Sequence, residues 1–60
     1  MKSSDLIREL ALAGCEIKRN PGGSHQIWWS PSSGNTFAVP HPRKALPNGT
    51  VKSIKKMAGI

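Results

Sequence analysis

Two dense turn signals stand within sixteen positions of each other, Asn20-Pro21-Gly22-Gly23 and Pro31-Ser32-Ser33-Gly34-Asn35. Proline presets φ and glycine accepts φ > 0, so each cluster reverses the chain within a few residues. Three short β-type segments surround them. Over residues 15–19, Cys15, Ile17 and Arg19 alternate with Glu16 and Lys18. Residues 24–30 carry the β-formers Ile27, Trp28 and Trp29, and residues 36–39 place Phe37 and Val39 on one face. Two tight connections in succession imply an antiparallel meander. Along the second segment, His25, Ile27 and Trp29 face one way and Ser24, Gln26 and Trp28 the other. If His25 is exposed, Trp28 is the core anchor and Trp29 is left near the surface.

Helical periodicity flanks the meander. Ser3 and Ser4 are candidate N-caps, and Asp5 sits at the positive end of the helix dipole. Leu6, Ile7, Leu10, Ala11 and Ala13 recur at three- and four-residue spacing with Arg8 and Glu9 outside the stripe. Gly14 then closes a helix over 4–13 as a left-handed cap. Pro40-His41-Pro42 cannot continue a central strand, because proline has no N–H to give the ladder. A loop through Arg43, Lys44, Ala45, Leu46 and Pro47 leads to Asn48-Gly49, with Thr50 the expected N-cap of a second helix to Ala58 and Gly59 closing it. Val51, Ile54 and Ala58 mark its buried stripe, and Lys52, Lys55 and Lys56 share a solvent face. The expectation is one α+β domain over 1–60, ordered α-β-β-β-α, with two helices on one face of a three-stranded antiparallel sheet. Double-stranded-RNA-binding domains share that order, but fold alone does not assign function.

Charge narrows the partners. Nine Lys and Arg against three acids give +6 over 60 residues and a pI near 10.3. Such a field draws polyanions in and leaves the fold unconstrained. Nucleic acid and an acidic protein both fit. A membrane fits poorly, because no apolar run approaches the roughly 18 residues of a spanning helix. The chain passes directly into a capped helical pattern, so no secretory leader is expected. A core this small hides only about 60% of the unfolded surface, which favours binding on a face or in a shallow groove over a deep cavity. Cys15 is the sole cysteine. It cannot form an internal disulfide, has no metal-ligand partners in sequence, and reads as a small buried hydrophobe in a reducing cytoplasm.

Little catalytic apparatus is present. Asp5, Glu9 and Glu16 form no paired-carboxylate set, and Gly22-Gly23 lacks the spacing of a phosphate-binding loop. No metal or other cofactor is expected. What remains is histidine. RNA carries its own nucleophile, the 2′-hydroxyl, so its cleavage needs only a base, an acid and positive charge. An imidazole serves as either acid or base near neutral pH. His25 follows Gly22-Gly23-Ser24 at a strand start, where a ligand can approach the backbone closely. On residue type alone, a lone histidine in a basic chain is more often a surface or capping residue. His41, between two prolines, suits loop shaping or RNA contact better than catalysis.

Gly23-Ser24-His25, with an aromatic at Trp28, is followed by Val39-Pro40-His41-Pro42 and then by Leu46-Pro47-Asn48-Gly49-Thr50. A basic helix ending Ala58-Gly59 completes a series that resembles the HicA (YcfA-like) mRNA interferase toxins. The opening Met1-Lys2-Ser3-Ser4-Asp5-Leu6-Ile7 is similar to that family's start, and the resemblance spans essentially all sixty residues. It implies a double-stranded-RNA-binding-like fold, metal-independent RNA cleavage, and a HicB-type antitoxin covering the site. The family's catalytic histidine is the one in the Gly-Ser-His motif, which falls here on His25. Two departures stand out. The segment before the motif is a residue longer and richer in glycine than in many members, and Trp29 stands where members often carry a polar residue.

The resulting expectation is a cytoplasmic endoribonuclease toxin that cleaves mRNA. His25 would be the acid/base group and the RNA 2′-hydroxyl the nucleophile. Arg43, Lys44, Lys52, Lys55 and Lys56 would meet phosphate, and Trp29 would stack a base or anchor the antitoxin. The competing expectation is a non-catalytic RNA- or DNA-binding module, which would bind with or without His25.

Overall fold

A computed structural model describes residues 1–20 and 25–60. Helix α1 spans Ser3–Leu12, strands β1, β2 and β3 span Glu16–Arg19, His25–Trp29 and Thr36–Pro40, and helix α2 spans Asn48–Ala58. The sheet order is β1-β2-β3 with both pairs antiparallel, the expected meander. The first turn cluster falls on residues 21–24 in part, as does the Gly23-Ser24 half of the Gly-Ser-His motif; those positions lie outside the described residues.

Register decides the two faces. Trp28 stands opposite Phe37 and Gln26 opposite Val39, while His25, Ile27 and Trp29 stand opposite Pro40, Ala38 and Thr36. Directly paired residues share a face. Trp28, Phe37 and Val39 are buried with Leu6 and Leu10 of α1 and Val51, Ile54 and Ala58 of α2, joined by Cys15 and Leu46. Both helices therefore cover one face, and the other carries His25, Ile27 and Trp29. Cys15 is a buried thiol, as its sequence context implies.

The expected alternation of β1 fails midway. A bulge between Ile17 and Arg19 puts Ile17 opposite Trp28 but Arg19 opposite Ile27, so the two residues lie on different faces. An extra residue in one strand inverts the parity beyond it. Arg19 thereby joins the open face, and the Lys18 ammonium sits 5.1 Å from the Trp29 ring centroid.

Both expected N-caps are displaced. Lys2, not Ser3 or Ser4, is the N-cap of α1, and Pro47, not Thr50, is that of α2; neither helix has a side-chain cap bond. Asn48 and Gly49 are helical instead of preceding the helix, because Pro47 supplies the extended residue that a helix needs just before its first turn, and its carbonyl accepts the Val51 N–H at 3.1 Å. Ser3 lies inside the first turn, and its hydroxyl is used elsewhere. The two glycine stops are found as expected, at φ +91° for Gly14 and +75° for Gly59.

The second turn cluster does more than reverse the chain. With Ser30 just before it, its side chains reach the C-terminal end of α2: the Ser30 hydroxyl donates to the Ala58 carbonyl, and Ser33 Oγ and Asn35 Nδ2 donate to that of Met57. The Gly59 and Ile60 N–H groups take the Lys56 and Lys55 carbonyls. All four terminal carbonyls of the helix are thus satisfied, two by the left-handed turn and two by the β2–β3 loop.

Candidate functional site

His25 opens β2 and is exposed on the face that the helices leave bare. Its cross-strand neighbour is Pro40, the last residue of β3. Helix α2 packs along β3, which is an edge strand. Between them runs an open groove of about 550 Å³. His25, Ala38 and Pro40 line it from the sheet, and Gly49, Thr50, Ser53, Ile54 and Met57 line it from α2. Pro47 closes the lining at the start of the helix. The walls are largely apolar, with the Thr50 and Ser53 hydroxyls and the His25 imidazole as polar groups. A mostly apolar concavity with a few polar side chains is the usual make-up of a small-ligand site.

Three stripes divide α2. Val51, Ile54 and Ala58 are buried. Thr50, Ser53 and Met57 face the groove. Lys52, Lys55 and Lys56 begin two positions after the groove stripe, about 200° round the helix at 3.6 residues per turn. The basic stripe is therefore carried on the α1 side, away from His25. Lys55 shows the direction directly, since its ammonium donates to Glu9 Oε1 of α1 at 3.1 Å. The expected shared solvent face holds for Lys52 and Lys56, which are exposed, while Lys55 is half-buried and paired. An interhelix pair this accessible adds about 0–1 kcal/mol.

Arg43 and Lys44 are exposed on the connection from β3 to α2, between the groove residues Pro40 and Pro47. Trp29 is half-buried on the open face at the far end of β2 from His25, about 13 Å along the strand at 3.3 Å per residue. His25, Arg43 and Lys44 thus gather at the Pro40 end of the sheet, and Trp29 and the α2 lysines stand apart. Sequence reasoning missed the Thr50, Ser53 and Met57 stripe, although its three- and four-residue spacing beside the core stripe is visible. It also missed Arg19 and Lys18 on the open face, for which the bulge leaves no sequence signal. Among the described residues, no three of His, Cys, Asp and Glu converge into a metal-binding group. No helix among them is long and apolar enough to cross a membrane.

A search of curated proteins finds no match to the chain. The family model described as the HicA toxin of bacterial toxin–antitoxin systems matches residues 3–60, from the first residue of α1 to the end. The chain belongs to the HicA toxin family.

Proposed function

We propose that this toxin is an endoribonuclease that cleaves mRNA in the cytoplasm without a metal, with His25 as its acid/base group. The observation carrying this reading is His25 itself, an exposed imidazole on the lip of an uncharged groove in a chain of +6. In the reaction, the RNA 2′-oxygen attacks the adjacent phosphorus while its proton passes to a base. The bond from phosphorus to the 5′-oxygen breaks, and that oxygen takes up a proton. The products are a 2′,3′-cyclic phosphate and a free 5′-hydroxyl. His25, which lines the groove, would serve on the side that takes the scissile nucleotide. Arg43 and Lys44 offer cations on the connection that follows Pro40, while Lys52 and Lys56 extend phosphate contact over the outer flank of α2. Phosphate contacts of this kind hold RNA without reading its sequence.

The same surface suits control by a partner. A HicB-type antitoxin covering the groove would bury His25, and Trp29 and Ile27 on the open sheet face give it apolar footing beyond the groove.

The test is cleavage of a structured mRNA by purified protein, with and without EDTA, alongside His25→Ala. General acid–base catalysis is worth about 10²–10⁴-fold. The expected result is a loss of that size on substitution, unchanged cleavage in EDTA, and cyclic-phosphate ends. Wild-type rates from His25→Ala, or inhibition by EDTA, would overturn the mechanism. Retained RNA binding with no cleavage by the wild type would point to a binding module.

A further inference from the structure

Ser3 is 1% exposed, and its hydroxyl contacts three groups of the β3–α2 connection. It accepts the Arg43 N–H at 2.8 Å, lies 3.1 Å from the Arg43 carbonyl, and lies 2.8 Å from His41 Nδ1. Two main-chain bonds run beside it, Ser3 N–H to the Arg43 carbonyl at 3.0 Å and Leu46 N–H to the Met1 carbonyl at 2.7 Å. The first residues of the chain are thereby laced to positions 41–46. That segment begins at Pro40 and ends at Pro47, both of which line the groove beside His25. His41 is half-buried and contributes nothing to the groove lining.

We infer that His41 is a positioning residue that acts through Ser3, holding the Pro40–Pro47 connection and with it the groove wall next to His25. The hydroxyl's capacity supports this. Ser3 has one proton and two lone pairs, and the Arg43 N–H occupies one pair. With Nδ1 unprotonated, Ser3 donates to it. With Nδ1 protonated, the ring donates to the second lone pair and the Ser3 proton turns to the Arg43 carbonyl. Both tautomers of the imidazole are accommodated, so the joint holds whichever ring nitrogen carries the proton. A group tied this way through Nδ1 sets geometry, and a misplacement of about 1 Å near reacting atoms can cost 10²-fold in rate.

The inference rests on the proposed cleavage for its kinetic readout, and it has a second readout that does not. Asparagine carries an amide atom where Nδ1 stands but does not titrate, whereas glutamine reaches the Nε2 position. His41→Ala and Ser3→Ala are each expected to lower kcat by about 10–100-fold with little change in KM. Their combination should be no worse than either alone. His41→Asn should recover to within about threefold of wild type with an unchanged pH–rate profile, and His41→Gln should not recover. Independently, the Arg43 amide should be protected from hydrogen exchange in wild type and in His41→Asn, and unprotected in His41→Ala.

If His41→Asn is as impaired as His41→Ala and a limb of the pH profile disappears, His41 is itself the acid or base and the inference is wrong. Wild-type kcat in His41→Ala would overturn it as well. If the wild type cleaves no RNA, the function reading falls, and Arg43 exchange alone then decides: protection unchanged in His41→Ala refutes the joint, and protection lost there but kept with Asn upholds it.

Discussion

Replacing Ser30 with alanine tests whether the β2–β3 loop holds α2 in place. Ser30 and Ala58 are both 0% exposed, and the Ser30 hydroxyl is the donor given to the Ala58 carbonyl. That carbonyl lies in the last turn of α2, where no intrahelical N–H reaches it. Alanine removes the donor and leaves the acceptor sealed from water. A buried acceptor stranded in this way costs about 1–3 kcal/mol. A domain of 60 residues holds only about 3–9 kcal/mol in total, at roughly 0.05–0.15 kcal/mol per residue. The loss is therefore a large share of the whole, and at about 4–8 °C per kcal/mol the melting temperature should fall by at least about 4 °C.

Ser33→Ala is the internal control. Ser33 is exposed and donates to the Met57 carbonyl, but Asn35 Nδ2 also donates there at 3.2 Å. Its loss leaves no buried orphan, because the Asn35 N–H that donates to Ser33 Oγ at 3.3 Å is exposed to water, and the change should stay within about 0.5 kcal/mol. Urea and thermal melts followed by tryptophan fluorescence measure both, with the buried Trp28 reporting on the core. Equal effects from the two variants, or a Ser30→Ala protein within 0.5 kcal/mol of wild type, would refute the reasoning. Because Ser53 and Met57 line the groove from this helix, Ser30→Ala should also impair cleavage at temperatures where it remains folded.

The lysines of α2 should separate by their surroundings. Lys52→Gln and Lys56→Gln should each flatten the log K against log[salt] slope for RNA by about 0.7–0.9, and Lys55→Gln by less, since its charge is already met by Glu9. Equal slope changes in fluorescence-anisotropy titrations of all three would refute the distinction. An antitoxin that covers the groove should raise the toxin's melting temperature by mass action and slow chemical modification of His25. A complex that blocks cleavage while His25 modifies at its unbound rate would show that inhibition acts elsewhere.

The meander, both glycine stops and the core stripes were legible because each follows from a local rule. A turn cluster, a left-handed residue and a fixed period all act within a few positions. What escaped the sequence depends on contacts between distant segments. Ser3 has the chemistry of an N-cap, but a partner 38 positions away claims its hydroxyl. Lys55 has the chemistry of a solvated charge, yet Glu9, 46 positions away, takes its ammonium. Thr50 is displaced as a cap by the conformation of Pro47, which lets the helix begin three residues early.

The candidate site divides along the same line. His25 was legible as a residue type beside a turn signal, and the strand period correctly separated it from Trp28. Its relation to the basic stripe was not legible, because that depends on which flank of α2 meets α1. Core residues at 51, 54 and 58 leave two flanks, and only the packing partner distinguishes them. The Lys55–Glu9 contact marks the α1 flank, and Thr50, Ser53 and Met57 stand on the other, lining the groove with His25. A reversed orientation would have put the lysines beside the imidazole and the hydroxyls outside. The chosen one puts an uncharged, largely apolar wall beside the histidine and keeps its cations at the ends and on the outer flank. A wall of that kind accommodates a base or ribose better than a bare phosphate. That division follows from the direction in which α2 crosses the sheet with Val51, Ile54 and Ala58 turned inward, since the accessible Lys55–Glu9 pair, at about 0–1 kcal/mol, marks the flank without setting it.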